Sequence, residues 1–266
     1  MSSKPLFIRK RVNCFNKVIN VSGDKSISIR WVLFASLANG ISKAKNLLIS
    51  QDVLASIKAI KKLGIKVRFK RGICEIRGNG IDGYRYRKNL IIDAQNSGTL
   101  GRLILGILIN TPYPIKLIGD KSLSKRDFGR VILPLQEVGA NFKVGIKKTL
   151  PIKIIGTNLV NPIHYFENRG SAQCKSTIML AALNSPGQTI IYAKKSRDHT
   201  ENIFKHLGIP ISINKKKNAD EIKIKGQKNF KSFNYTVPSD PSSCAFLIVL
   251  TLLSKNCELK IKNVNV

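Results

Sequence analysis

Lys25, Ser26 and Arg30 bring a point charge, a hydroxyl and a bidentate fork close together. Ser26 and Arg30 are four residues apart, so a helix puts them on one face with Lys25 at its mouth. That combination suits an oxyanion, either phosphate or carboxylate. Gly98, followed by Thr99 and Arg102, offers a second place where a ligand can approach the backbone closely. Arg126 and Arg130 are spaced i,i+4 and read as the start of another helix, and the run Arg197 to Glu201, with His199 inside it, starts one more. Ser171, Gln173 and Lys175 open a further apolar helix. Helix N-termini present free N–H groups and the positive end of the dipole, so each of these places is a natural anion seat. Together they predict a ligand with more than one phosphate or carboxylate.

Each residue also has a plainer reading. Ser, Thr, Asp and Gly before apolar helices are ordinary N-caps, and the arginines could be surface residues. His199 could be a hydrogen-bonded structural histidine, while His164 and His206 read as solvated. No His, Cys, Asp and Glu spacing matches a metal site, and no Ser-His-Asp set can be assembled, so neither a metal nor a cofactor is implied. The segment Gly23 to Ser26 lacks the glycines of a nucleotide-binding phosphate loop.

The elements that must position these residues repeat along the chain. Four segments open with small, hydroxyl or glycine residues, run into an apolar helix and leave by a polar turn: Ser22 to Gly40, Asn96 to Asn110, Gly170 to Gly187 and Ser239 to Ser254. Their spacing is roughly seventy residues. Behind the first three comes a more polar helix ending at Gly64, Gly139 or Gly208, and then a strand pair: Ile65 to Phe69 with Cys74 to Arg77, Asn141 to Val144 with Ile152 to Ile155, and Ile209 to Ile213 with Glu221 to Ile224. The predicted unit is β-α-β-α-β-β, three times over. The fourth has only its first helix and the strand Glu258 to Lys262, which leaves an apolar face that a neighbour must cover. The expected organisation is a three-repeat α/β domain over residues 21–235. An N-terminal strand region (1–20) and the start of a second domain (236–266) belong elsewhere, with Lys231 to Val237 as the crossing strand.

Composition narrows the class. The 266 residues are 43% hydrophobic, enough for one large or two medium cores. The formal charge of +31 invites a nucleic-acid reading, but the lysines are scattered through strands and turns rather than gathered on one helix or interleaved with aromatics. They read as solvated faces, with some of the charge serving anionic small substrates. The longest apolar runs are core-helix sized, too short to span a membrane. The five cysteines stand singly without a signal segment, which reads as a reduced cytosolic protein with buried thiols.

Read jointly, the motifs resemble the EPSP synthase family. They are Gly23 to Arg30, Asn96 to Thr99, Gly119 to Arg126 with Gly129 and Arg130, Ser171 to Ser176, Ser196 to Glu201, and Asp240 to Ser243. The Ser171 to Gln173 and Ser196 to Glu201 forms look like the bacterial subgroup called class II, and the resemblance runs the length of the chain. It implies an inside-out α/β barrel architecture of two domains, each of three such units, so about two and a half units of the family pattern would lie outside this sequence. It also implies transfer of the enolpyruvyl group of phosphoenolpyruvate to the 5-hydroxyl of shikimate 3-phosphate, in the shikimate pathway. Carried over by motif, Lys25, Ser26, Arg30, Ser171, Ala172, Gln173 and Arg197 would hold shikimate 3-phosphate. Lys25, Gly98, Arg126 and Gln173 would line the phosphoenolpyruvate side, with Lys25 also the catalytic candidate. The family's Asp and Glu for proton transfer have no counterpart here, so turnover by this chain alone is not expected, and a second chain is a candidate supplier of the missing repeats. Asp127 stands where the family has Pro and is expected to compete with a ligand at Arg126. The related transferase acting on UDP-N-acetylglucosamine fits the Lys25 and Ser171 motifs less well. A catalytically inactive fragment or a basic polyanion-binding scaffold is the reading from a different class.

Overall fold

In the computed structural model, residue 12, residues 14–226 and residues 229–265 are described. Residues 1–11, 13 and Val266, which belong to the two predicted terminal regions, lie outside the described residues.

The repeat reading holds for the second and third units, and for the first from α1 onward. The first unit has helix α1 (Lys25–Leu37), strand β2 (Asn39–Lys45), helix α2 (Gln51–Lys62) and the hairpin β3 (Lys66–Lys70) and β4 (Ile73–Asn79). The second has β5 (Ile91–Asp93), α3 (Gly98–Ile107), β6 (Ile115–Ile118), α4 (Gly129–Glu137), β7 (Asn141–Lys143) and β8 (Ile152–Ile155). The third repeats it with β9 (His164–Glu167), α5 (Ala172–Ala182), β10 (Gln188–Ala193), α6 (His199–His206), β11 (Ile211–Lys215) and β12 (Asp220–Lys225). Around these lie β1 (Phe15–Asn20), β13 (Asn234–Thr236), α7 (Pro241–Leu253) and β14 (Cys257–Lys262).

Local chemistry explains why the units recur. Asp24, Ser97, Ser171 and Asp240 each cap a helix by accepting a backbone N–H with the side chain. Gly64, Gly139 and Gly208 follow α2, α4 and α6 with φ of +89°, +116° and +67°, a left-handed turn that a residue with a Cβ adopts only under strain. Helices α1, α3 and α5 are apolar around most of their circumference and are buried accordingly. They form the core, and the sheets lie outside them. Gly106 allows α3 and α5 to approach closely, since a Cβ there would meet the Thr177 carbonyl oxygen at 2.2 Å.

The three four-stranded sheets share one topology. An outer strand pairs in parallel with the first strand of the unit, followed by the antiparallel hairpin: β5-β6-β8-β7, β9-β10-β12-β11 and β13-β2-β4-β3. In the first unit the outer place is taken by β13 rather than by the strand that precedes α1. That strand, β1, runs parallel to β14 in a separate two-stranded sheet. The expected uniform unit therefore needs correction, because the first unit borrows its opening strand from the far end of the third. The inside-out arrangement holds, with the buried helices α1, α3 and α5 inside and three separate sheets outside them among the described residues.

One further expectation changes and another holds. Cys74, Cys174 and Cys244 are buried, but Cys14, just before β1, is exposed and Cys257, the first residue of β14, is half-buried, because the β1–β14 ribbon is thin. Helix α7 presents the uncovered apolar face expected of the incomplete fourth unit: only Cys244 is buried, whereas Phe246, Leu252 and Leu253 are about four-fifths exposed. No helix among the described residues is long and apolar enough to cross a membrane.

Candidate active site

The N-termini of α1, α3, α5 and α6 meet around one junction. Ser26, Arg30, Thr99, Ser171, Ala172, Gln173, Arg197 and His199 line a cavity of about 240 Å³ there. Six of the seven residues expected around shikimate 3-phosphate are among them. The seventh, Lys25, lies outside this wall and pairs with Asp52 on the first turn of α2, with Nζ to Oδ2 at 3.2 Å.

Arg30 is 2% exposed and knots three helices together. Its Nε donates to Thr200 Oγ1 at 2.7 Å, Nη2 to Ser176 Oγ at 2.9 Å, and Nη1 to the Ser26 carbonyl at 3.1 Å. Ser176 and Thr200 also bond each other at 2.7 Å. A guanidinium has five N–H donors, so these three bonds leave two for a ligand. Burial pushes Arg30 down to about 10, with Glu201 and Asp24 opposing the shift, so it stays charged at neutral pH. The sequence reading aimed the whole fork at the ligand. Most of that fork instead holds α1 against α5 and α6.

Lys175, read as another donor to the ligand, is buried and pairs with the buried Glu201 at 2.5 Å. Its place in the apolar body of α5 gives it a partner inside the protein rather than in the cavity. This bridge also ties α5 to α6, which holds Thr200 and His199 in place. The sequence offered no signal for the pairing beyond the positions of the two motifs.

The second seat lies beside the first and shares Gln173 with it. Gln173 Oε1 accepts from Arg102 Nη1 at 2.9 Å, and its Nε2 donates to Thr99 Oγ1 at 3.0 Å. Gly98 faces the same group, since a Cβ on it would lie 3.0 Å from both Arg102 Nη1 and Arg126 Nη1. Arg126 Nη2 donates to Asn96 Oδ1 at 3.3 Å, and Asn96 in turn donates to Asp120 Oδ2 at 2.6 Å. Burial and the nearby Arg130 and Arg126 press Arg102 below its ordinary range, with Cys174 the largest opposing influence. It also lies over the Phe128 ring at 5.1 Å. Arg102 thus stands beside Gly98 as the sequence reading placed it, while Asn96 and Asp120, present in the motifs, join this group without having been assigned to a ligand.

Arg126 is not at the start of a helix. It closes a short 3-10 turn with extended backbone (φ −80°, ψ 144°), three residues before α4 begins at Gly129. Asp127 explains the break: its Oδ1 accepts the Gly129 N–H at 2.7 Å and its Oδ2 lies 3.7 Å from Arg130 Nε. Both oxygens of this carboxylate are thus directed at the start of α4.

The arrangement is therefore two adjacent cationic seats, one polar bridge between them, and an exposed lysine at the rim. It can hold two anionic groups side by side. The family model for EPSP synthase (3-phosphoshikimate 1-carboxyvinyltransferase) matches residues 10–266. The 3-phosphoshikimate 1-carboxyvinyltransferase of Streptococcus mutans serotype c is 37% identical over 261 residues, covering 97% of this chain and 60% of that protein. The same enzyme of Ruthia magnifica is 39% identical, covering 98% and 59%. The solved structure of EPSP synthase from Acinetobacter baumannii superposes with a TM-score of 0.88 at 32% identity, covering 96% of this chain and 57% of that one. The chain thus spans about 60% of the length of the curated relatives it matches. The motifs, the repeated α/β unit and these matches agree, and the chain belongs to the EPSP synthase family.

Proposed function

We propose that this chain carries the shikimate 3-phosphate seat, and part of the phosphoenolpyruvate seat, of an enolpyruvyl transfer site. The observation that carries this reading is the convergence of Ser26 and Arg30 of the first unit with Ser171, Ala172, Gln173 and Arg197 of the third on one cavity. Lys25, Gly98, Arg126 and Gln173 form the phosphoenolpyruvate side in this reading. In the reaction, the 5-hydroxyl of the acceptor attacks C2 of phosphoenolpyruvate while the methylene carbon takes a proton. Phosphate then leaves and the new methyl group returns a proton to restore the double bond. Lys25 is the group we assign to proton transfer. Its ion pair with Asp52 is half-exposed, and such pairs are worth at most about 1 kcal/mol, so an incoming phosphate can draw it away.

We read residues 21–235 as one domain, and residues 1–20 with 236–266 as part of another. The β1–β14 pairing and the closure of the first sheet by β13 support that division. The groups that complete the site lie, in this reading, in the part of the relatives' length that the chain does not span, supplied by the same protein or by a second chain. The free cysteines fit a reducing compartment, and we place the protein in the cytoplasm.

The test is ligand-detected NMR with shikimate 3-phosphate and phosphoenolpyruvate on the chain and on Arg197→Ala, with circular dichroism as the control for folding. Arg197 lines the cavity and is an exposed residue, so removing its side chain should spare the fold. A charge-assisted hydrogen bond to phosphate is worth about 1.5–3 kcal/mol, so the variant should bind shikimate 3-phosphate roughly tenfold or more weakly. Equal affinity of the two proteins, or tighter binding of phosphoenolpyruvate than of shikimate 3-phosphate, would place the seat elsewhere.

A further inference from the structure

His199 is the first residue of α6 and stands on the cavity wall with Arg30 of α1 and Arg197 of the preceding turn. Among the described residues no hydrogen bond engages its ring, unlike Arg30, Gln173 and Ser171 on the same wall. The charges that face it come from α1 with its cap and from the turn that leads into α6. Asp24 and Arg30 belong to α1, and Arg197 and Asp198 lead into α6. Lys175 of α5 and Glu201 of α6 neutralise each other, and Lys25 is engaged by Asp52. Burial, then Arg30, then Arg197 hold the imidazole below its ordinary range, against Asp24 and Asp198.

We propose that His199 is a proton-linked ligand group of this anion seat, neutral while the cavity is empty and protonated when a dianion is bound. The proposal rests on the reading of the cavity as a phosphate seat and adds to it a proton that accompanies the ligand. A dianion among Arg30, Arg197 and His199 cancels the repulsion that keeps the ring neutral, and it accepts a hydrogen bond from the new N–H. The bound-state pKa therefore lies above the free-state one. Binding takes up a proton between those two values, and affinity for a dianion of fixed charge rises as pH falls through that window. An upward shift of about one unit corresponds to a roughly tenfold gain in affinity across it.

A phosphate ester is a poor probe of this linkage, because its own second ionisation near pH 6 contributes a proton of the opposite sign. Sulfate keeps its charge throughout and isolates the protein's proton. The chain has only three histidines, so their ring C–H resonances can be followed by proton NMR between about pH 5 and 8, with His199→Gln assigning the one of interest. Chloride at matched ionic strength is the control, since screening alone raises histidine pKa values in a chain of charge +31. The expected result is that sulfate, relative to chloride, moves the His199 midpoint upward by about one unit and leaves His164 and His206 in place. Sulfate that perturbs the Arg197 side chain without moving the His199 midpoint would overturn this proposal and leave the anion seat standing. Sulfate that perturbs neither residue would remove the seat, and this proposal with it.

Discussion

Replacing Lys175 with Met separates a pairing role from a ligand role. Lys175 and Glu201 are 2% and 3% exposed and meet at 2.5 Å between α5 and α6. Met keeps most of the aliphatic stem, so packing changes little, but it strands a carboxylate whose Oε2 already has no hydrogen-bond partner. Breaking one side of a buried pair costs about 3–5 kcal/mol, a large share of the roughly 5–15 kcal/mol that holds a typical domain together. At a urea slope of about 2.5–3 kcal/mol/M, the unfolding midpoint should fall by about 1–2 M. The single tryptophan, Trp31, is buried in α1 and reports the transition by fluorescence, and circular dichroism should give the same curve if unfolding is two-state. The double variant Lys175→Met with Glu201→Leu removes both charges and should regain most of the loss, because an apolar replacement of a buried pair is often neutral or stabilising. A single variant within about 1 kcal/mol of the parent, or a double variant no more stable than the single, would refute the argument that this bridge is desolvated and structural.

Asp127→Ala should lower stability by about 0.5–2 kcal/mol in a thermal or urea melt, since it removes the side chain that accepts the Gly129 N–H, and Asp127→Asn should lose less. If Asp127 instead competed with a ligand at Arg126, the alanine variant would keep its stability and bind phosphoenolpyruvate more tightly. On α7, Phe246→Lys with Leu252→Lys should reduce concentration-dependent self-association in sedimentation velocity without changing the circular dichroism, because both side chains are mostly exposed. A parent protein that sediments as a monomer at every concentration would remove the premise.

The features legible in the sequence were those set by neighbours in the chain. A cap three residues before a buried amide, a glycine after a polar helix and an apolar run between them are local, and they recurred at a fixed spacing. The first-unit exchange was not legible in this way. The short strand Asn234–Thr236 carries no mark of its partner, and pairing with β2 is decided by closure of the three-unit core. At the site, residue types announced cations but not what each one touches. Arg30 and Lys175 sit inside nearly all-buried helices, where desolvation obliges a charged group to find internal partners first. The extended backbone at Arg126 depends on a carboxylate turning back to the Gly129 amide, and Arg-Asp-Phe-Gly does not distinguish that from a continuous helix.

The borrowed strand also sets a timetable. Ser42 and its hydrogen-bonding partner Phe233 are 191 residues apart, so the first sheet cannot be finished until nearly the whole three-unit stretch has left the ribosome. At about 5–20 residues per second, that leaves the outer edge of β2 unpaired for roughly 10–40 s of synthesis. An open strand edge is a template for unwanted pairing. During that interval the nascent first unit, although sequence-complete through its hairpin, is a natural client for a chaperone, and slowing translation between residues 79 and 234 should lower the yield of soluble protein rather than raise it.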